Sequence, residues 1–221
     1  MSDIYAIYGS GGHGREVMPL LRDYVKAKHN SDGKDCLFID DYPPQEKRVN
    51  GHEIVSFDQF IQSAVCKQAH CCIAIADKTL RQKLTQRCND HGIKILTLIA
   101  KNAVIMDQVN IKEGAIISPF VTLSSNITIG KSFHANIYSY VAHDCVIGDF
   151  VTFAPAVKCN GNVHIHDGVY IGTGAIIFNG RNDKPLVIGR NSKIGAGAVV
   201  TKSLPENITV IGNPARILSQ V

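Results

Sequence analysis

The sequence predicts an α/β Rossmann-like βαβ domain over residues 1–100, followed by a parallel β-helix over residues 101–221. Two observations carry this. The chain opens on an apolar run, a Gly-rich turn and a helical segment. Its second half returns a compact apolar residue at a fixed step of six: Ile105, Ile111, Ile117, Leu123, Ile129, Ala135, Val141, Ile147, Phe153, Cys159, Ile165, Ile171 and Ile177. A second series of small residues runs two places earlier, including Val109, Ala115, Val121, Ile127, Ser139, Cys145, Val151, Val157, Val163 and Val169. A helix would repeat at 3.6 and an ordinary strand at two, so a sustained period of six marks a hexapeptide solenoid. Three hexads make one triangular coil, and inward residues stack on the next coil at roughly 4.8 Å. Chemistry is then expected on the outer corners.

In the first domain, Ile4–Tyr8 reads as a strand. Gly9-Ser10-Gly11-Gly12-His13-Gly14 follows, with Gly9, Gly11 and Gly14 in the GxGxxG spacing, and a helix begins at Arg15 with Pro19 early enough to be tolerated. Strand, Gly-rich turn and helix together present backbone N–H groups and a helix dipole to an anion, normally a diphosphate. A second strand, Cys36–Ile39, ends in Asp40 and Asp41, where carboxylates can accept hydrogen bonds from a ribose or base. A third, Cys71–Ile75, ends at Ala76-Asp77 and leads to a helix around Leu80–Cys88; a further strand follows His91-Gly92. The bland reading is that the glycines turn the chain and the aspartates cap strands. Loop and acidic pair at successive strand ends of one parallel sheet favour a nucleotide-type ligand. A dinucleotide oxidoreductase is disfavoured, because a solenoid follows where a second α/β domain would be needed.

Within the hexads the most reactive residue is His143, two places after an inward slot and therefore near a corner. Imidazole is the natural general base near neutral pH. One eighteen-residue coil further on stands Gly161, which leaves room for a thioester and presents an N–H to its carbonyl oxygen. Asp144 is placed to orient the imidazole and raise its basicity, although a corner histidine read alone is more often structural or solvated. His134 and Tyr138 are expected to line a neighbouring groove, while His164 and His166 alternate outward and are read as solvated before they are read as metal ligands. The period fails from Phe178 to Leu186 and resumes at Ile188, Ile194 and Val200, so an excursion loop carrying Arg181 and Lys184 leaves a corner there. Gly212-Asn213-Pro214-Ala215-Arg216 ends the solenoid and presents an arginine beside its last coils.

The 221 residues carry a net charge of +4 without a Lys/Arg block, which argues against a nucleic-acid partner and suits anionic substrates. The N-terminus lacks the pattern of a signal peptide and no apolar run reaches membrane-spanning length, so a cytoplasmic protein without a membrane partner is expected. Seven cysteines without a CxxC pair argue against a disulfide framework and against a Cys-based zinc site.

Taken together, Tyr8–Gly14, Phe38–Asp41, the run Phe133–Gly148, Lys158–Asn162 and Gly212–Arg216 resemble the bacterial sugar acyltransferases that join a nucleotide-binding domain to a left-handed β-helix. The run around His143 looks closest to the GDP-perosamine and dTDP-viosamine 4-N-acetyltransferases. The resemblance implies an acetyl-CoA-dependent N-acetyltransferase acting on a nucleotide-linked 4-amino-4,6-dideoxyhexose for O-antigen or surface polysaccharide synthesis. It implies a homotrimer with active sites between adjacent solenoids, and no metal. By the same resemblance His143 and Asp144 are the base and its acidic partner, and Gly161 the donor to the acetyl carbonyl. Thr152, Thr173, Ala196, Pro214 and Arg216 become cofactor contacts, while Gly11, Gly12, His13, Asp40, Asp41, Ala76 and His134 become substrate contacts. Two departures stand out: Thr152 occupies the place where some relatives carry a second histidine, and Ala76 the place of a glycine. The rivals are O-acetylation of a sugar such as sialic acid, a hexapeptide-fold zinc carbonic anhydrase, and a nucleotide-sugar sensor without catalysis.

Overall fold

The structure is a computed structural model that describes residues 3–29, 32–42, 47–181 and 183–220. The chain divides into two compact units, Met1–Leu98 and Ile99–Val221.

The first unit holds a six-stranded sheet. Its elements are β1 (Asp3–Tyr8), α1 (Gly12–His29), β2 (Leu37–Ile39), β3 (Arg48–Val49), β4 (His52–Val55), α2 (Phe57–Ser63), β5 (Gln68–Ile73), α3 (Lys78–Asp90) and β6 (Lys94–Ile95). The strand order is β3-β4-β2-β1-β5-β6, parallel except for the β3–β4 hairpin. Buried Ala6, Ile7, Phe38, Ile39, Cys71 and Cys72 make the near-continuous apolar strands of a sheet covered on both faces. Because β2 and β5 flank β1 on opposite sides, the loops after β1 and β5 diverge, and a parallel sheet binds its ligands at such a point.

Three features of this unit differ from the sequence reading. Pro19 is the eighth residue of α1, beyond the first turn. The helix continues through it because Val17, Met18, Leu20 and Leu21 are all buried beside it, and tertiary packing of that face offsets one lost backbone bond. The β3–β4 hairpin, turned at Asn50-Gly51, was not anticipated, nor was α2. Both carry local signals: Asn-Gly is a two-residue hairpin turn. Ser56 and Gln59 form a capping box in which Gln59 N donates to Ser56 Oγ (3.2 Å) and Ser56 N to Gln59 Oε1 (2.9 Å).

The second unit is a three-sided stack of short parallel strands. The first face includes Ile116–Ile117, His134–Ala135, Thr152–Phe153, Tyr170–Ile171 and Lys193–Ile194. The second runs from Val104–Ile105 through Tyr140–Val141 and Lys158–Cys159 to Val199–Val200, and the third from Val109–Ile111 to Leu186–Ile188. Partners lie eighteen residues apart, as in Tyr140 against Lys158. The one coil that holds the excursion loop is longer, Ile171 pairing with Ile194, and the coil after it is shorter, Ile194 pairing with Val210. Arg181 and Lys184 close that loop by mutual backbone bonds of 2.8 and 3.0 Å, and Asn182 lies outside the described residues.

The inward column from Ile117 to Ile177 is buried throughout, each aliphatic side chain contributing roughly 1.5–3 kcal/mol of transfer free energy. Ile105 departs from this expectation at 38% exposed, and Ile111 is only partly buried. Their strands are terminal in their sheets, so among the described residues no strand pairs with them on one side. Ser139 fills an inward slot because its hydroxyl is satisfied, donating to Ala154 O (3.0 Å) and accepting from Val157 N (3.1 Å). The C-terminal strand Arg216–Gln220 pairs antiparallel with Ile208–Ile211 and ends the first sheet.

Candidate active site

The second face turns into the third through short corners, and three stacked corners hold Asn126, Asp144 and Asn162 in left-handed backbone conformations (φ 60°, 59° and 53°). Asn and Asp tolerate this region better than most residues. The turn at Asp144 leaves His143 66% exposed beside it, with Nδ1 2.8 Å from Asp144 Oδ2. Hydrogen bonds from His143 and then from Asn126 hold the Asp144 carboxyl below its ordinary value, so it is ionised at neutral pH. An ionised carboxylate can only accept, so the neutral form of the imidazole carries its proton on Nδ1 and its lone pair on Nε2. That nitrogen can take a proton.

One coil on, Gly161 lies against the same ring. A Cβ added to it would stand 2.5 Å from both Cε1 and Nε2 of His143, so any other residue would displace the imidazole. Gly161 O accepts from Gly180 N (2.9 Å). Asn162 N donates to His143 O (2.8 Å), fixing the backbone that carries the imidazole. Beneath the corner the buried Cys145 thiol donates to Asn160 O (3.3 Å), and Tyr140 OH donates to Asn160 Oδ1 (2.7 Å). The arrangement is an oriented imidazole beside a backbone without side-chain bulk, suited to proton abstraction next to a carbonyl centre.

The other solenoid candidates do not converge on His143. Thr173 and Ala196 are exposed and stack on each other's coils, Gly197 N donating to Thr173 O (2.8 Å), but they lie at the corner after the first face. His134 and Thr152 correct the expectation. They pair in register on the first face and are 1% and 5% exposed, so neither is open to a ligand. Outward residues of a hexad read alike whether covered or solvated. Pro214 and Arg216 border a cavity of about 330 Å³ with Thr201, Lys202 and Leu204. Thr201 and Lys202 follow the strand Val199–Val200 of the second face, so this cavity is on His143's edge, further along the stack. Its two cations suit phosphate groups.

In the α/β unit Gly11, Gly12 and Ala76 are exposed at the C-terminal edge of the sheet, and His13 is the second residue of α1. Gly14 is forced: its Cβ would come within 1.8 Å of Gly9 O. Burial first, and the nearby Arg81 charge, push the His13 imidazole below its ordinary value despite Glu16. Asp40 ties the loop, accepting from Ser10 Oγ (2.5 Å) and Ser10 N (3.2 Å) on one oxygen and from Tyr42 N (3.0 Å) on the other. Asp41 accepts from Tyr8 OH (2.6 Å), Arg87 Nη1 (2.6 Å) and Phe57 N (3.2 Å). Burial alone would raise the Asp41 carboxyl; the bonds from Tyr8 and Phe57 and the Arg87 charge outweigh it and hold it below its ordinary value. Both expected nucleoside contacts therefore already serve the protein's own loops.

Residues 5–88 match the PglD N-terminal domain family. The chain is 49% identical to the GDP-perosamine N-acetyltransferase of Escherichia coli O157:H7, over 97% of this chain and 96% of that protein. Its fold matches WeeI from Acinetobacter baumannii AYE at 50% identity with a TM-score of 0.92, covering 98% of this chain and all of that one. It also matches PerB from Caulobacter crescentus, solved with CoA and GDP-perosamine, at 26% identity and a TM-score of 0.74, covering 98% and 97%. The chain belongs to the hexapeptide-repeat nucleotide-sugar N-acetyltransferases. It is thus an acetyl-CoA-dependent sugar N-acetyltransferase.

For such an enzyme the sequence reading missed Arg81. This side chain is fully buried, donates from Nη1 to Ile75 O (2.7 Å) and Ala76 O (3.2 Å), and so sets the loop after β5. Burial lowers its guanidinium to about 10, still charged at neutral pH. The available signal was position: Arg81 follows the N-cap Asp77 by four residues and so points back to the strand end. Among the described residues, no helix is long and apolar enough to cross a membrane, and no three His, Cys, Asp or Glu side chains form a group able to hold a metal ion.

Proposed function

We propose that this enzyme transfers the acetyl group of acetyl-CoA to the 4-amino group of a GDP-linked 4-amino-4,6-dideoxyhexose of the perosamine type, in the cytoplasm, for O-antigen or surface polysaccharide synthesis. The observation that carries the reading is the 2.8 Å pairing of His143 with Asp144, with Gly161 packed against the ring. His143 Nε2 takes the proton as the amine attacks the thioester carbonyl, and Gly161 N–H donates to the oxyanion. The C–N bond forms, the C–S bond breaks, and His143 returns the proton to the leaving thiolate.

The 49% identical relative and the PerB structure favour GDP over other nucleotides. Gly11, Gly12 and His13 hold the diphosphate, and Lys202, Pro214 and Arg216 border the phosphate end of CoA. Thr173 and Ala196 lie at a different corner from His143, which supports a cleft completed by a neighbouring copy in a homotrimer. A thiol-release assay against GDP-, dTDP- and UDP-linked 4-amino sugars and their 4-hydroxyl analogues is expected to give the highest kcat/KM with GDP-perosamine. Faster turnover of a hydroxyl analogue, or no thiol release with any amino sugar, would overturn the reading.

A further inference from the structure

Asn126 occupies the corner one coil before Asp144, and its side chain is not an idle turn residue. Its Nδ2 lies 3.2 Å from Asp144 Oδ1, while the other oxygen of that carboxylate holds His143 Nδ1 at 2.8 Å. Because an ionised carboxylate only accepts, the atom facing it must be the amide N–H donor, and the Asn126 side-chain orientation follows from chemistry. The backbone on either side is anchored independently, Asn126 N donating to Asp107 O (3.1 Å) and Asp144 N to Ser125 O (3.1 Å). The eighteen-residue repeat therefore stacks two polar side chains at one corner, and the carboxylate between Asn126 and His143 is held at both oxygens.

We infer that Asn126 is a positioning residue for the reaction, clamping Asp144 so that its other oxygen fixes the tautomer and direction of the His143 ring. This rests on the reading of His143 as the base. Asp144 is 54% exposed and would otherwise rotate about its side-chain bonds; a carboxylate free to turn loses contact with Nδ1 for part of the time and leaves the ring misaimed. A misplacement of about 1 Å can lower turnover by about 10², and a solvated clamp of one hydrogen bond is expected to account for a smaller part, about three- to tenfold.

The competing explanation is that Asn126 is present only because φ is 60° there. Glycine adopts that conformation without strain, so Asn126→Gly separates the two. Positioning predicts a kcat reduced about three- to tenfold with both KM values unchanged; a purely conformational role predicts wild-type kcat. A double-mutant cycle sharpens this. In an Asp144→Ala background Asn126→Gly should cause no further loss, since nothing remains to clamp, whereas independent losses in the two variants would overturn the proposal. Asn126→Asp retains a residue that tolerates the turn but adds a negative charge near the imidazolium. It is expected to move the acid limb of the kcat/KM profile up by about 0.5 pH unit at low salt. An unmoved limb counts against Asn126 facing the dyad. His143→Ala keeps the two readings apart: if it is inactive and Asn126→Gly is fully active, only the clamp fails; if His143→Ala is fully active, the base assignment fails.

Discussion

Asp41 and Asp144 each follow a strand and each is held ionised, yet their surroundings differ. Asp41 accepts from a phenol, a guanidinium and a backbone N–H drawn from β1, α3 and the start of α2, and its side chain is 30% exposed. Asp144 accepts from His143 and Asn126, its side chain is 54% exposed, and its neighbour turns a nitrogen lone pair outward. The first carboxylate joins parts of the fold; the second orients a group that faces solvent. The same residue type after a strand ties distant elements together in one unit and faces an exposed imidazole in the other, and the partners make the difference.

The contrast is broken most directly at the base. His143→Ala should lower turnover by about 10² to 10⁴ with little change in melting temperature, because the ring is two-thirds exposed. Steady-state thiol release beside a thermal melt checks both halves. The opposite pattern is expected for the inward column: Phe153 is fully buried in edge-to-face contact with Phe133, ring centroids 5.1 Å apart. Phe153→Ala should destabilise the solenoid by about 3–5 kcal/mol, read by denaturant unfolding. Gly161→Ala stands between the two. Its backbone is not left-handed, so folding should survive, but the methyl group must push the imidazole aside, and a loss of about 10² in kcat is expected.

The legibility of the two units differs for the same reason. A period of six is local information repeated many times, so the column from Ile117 to Ile177 and the placing of Gly161 over His143 could be read from spacing alone. What spacing cannot carry is coverage. His134 and Thr152 occupy outward positions like that of Tyr140, yet they are buried. In the α/β unit the decisive partners are far apart in sequence. Tyr8 lies 33 residues from Asp41, and Arg87 lies 46 from it, so no motif at Asp40-Asp41 signals that the second carboxylate is already engaged. Arg81 was hidden likewise, since a helix-face arginine reads as solvated until the fold buries it.

The smallest effect tests that engagement. Tyr8→Phe removes one short bond to Asp41, together with the phenol that Arg87 Nη1 also approaches at 2.9 Å, while leaving the aromatic packing on Phe57. A hydrogen bond to a charged group suggests a loss of roughly 1–2 kcal/mol. The sign of its pH dependence follows from the lowered Asp41 value. Stability from a depressed carboxylate is fully present above its unfolded value, near 3.8, and is lost as pH falls through the folded value. The wild-type chain should therefore lose this contribution on acidification below about pH 4, and Tyr8→Phe, with Asp41 less depressed, should lose less over the same interval. Denaturation midpoints of the two proteins at pH 7 and in that acid range decide it. Converging stabilities at low pH mark Asp41 as a fold clamp, whereas a constant gap would mean that the phenol acts through Arg87 Nη1 rather than through the carboxylate.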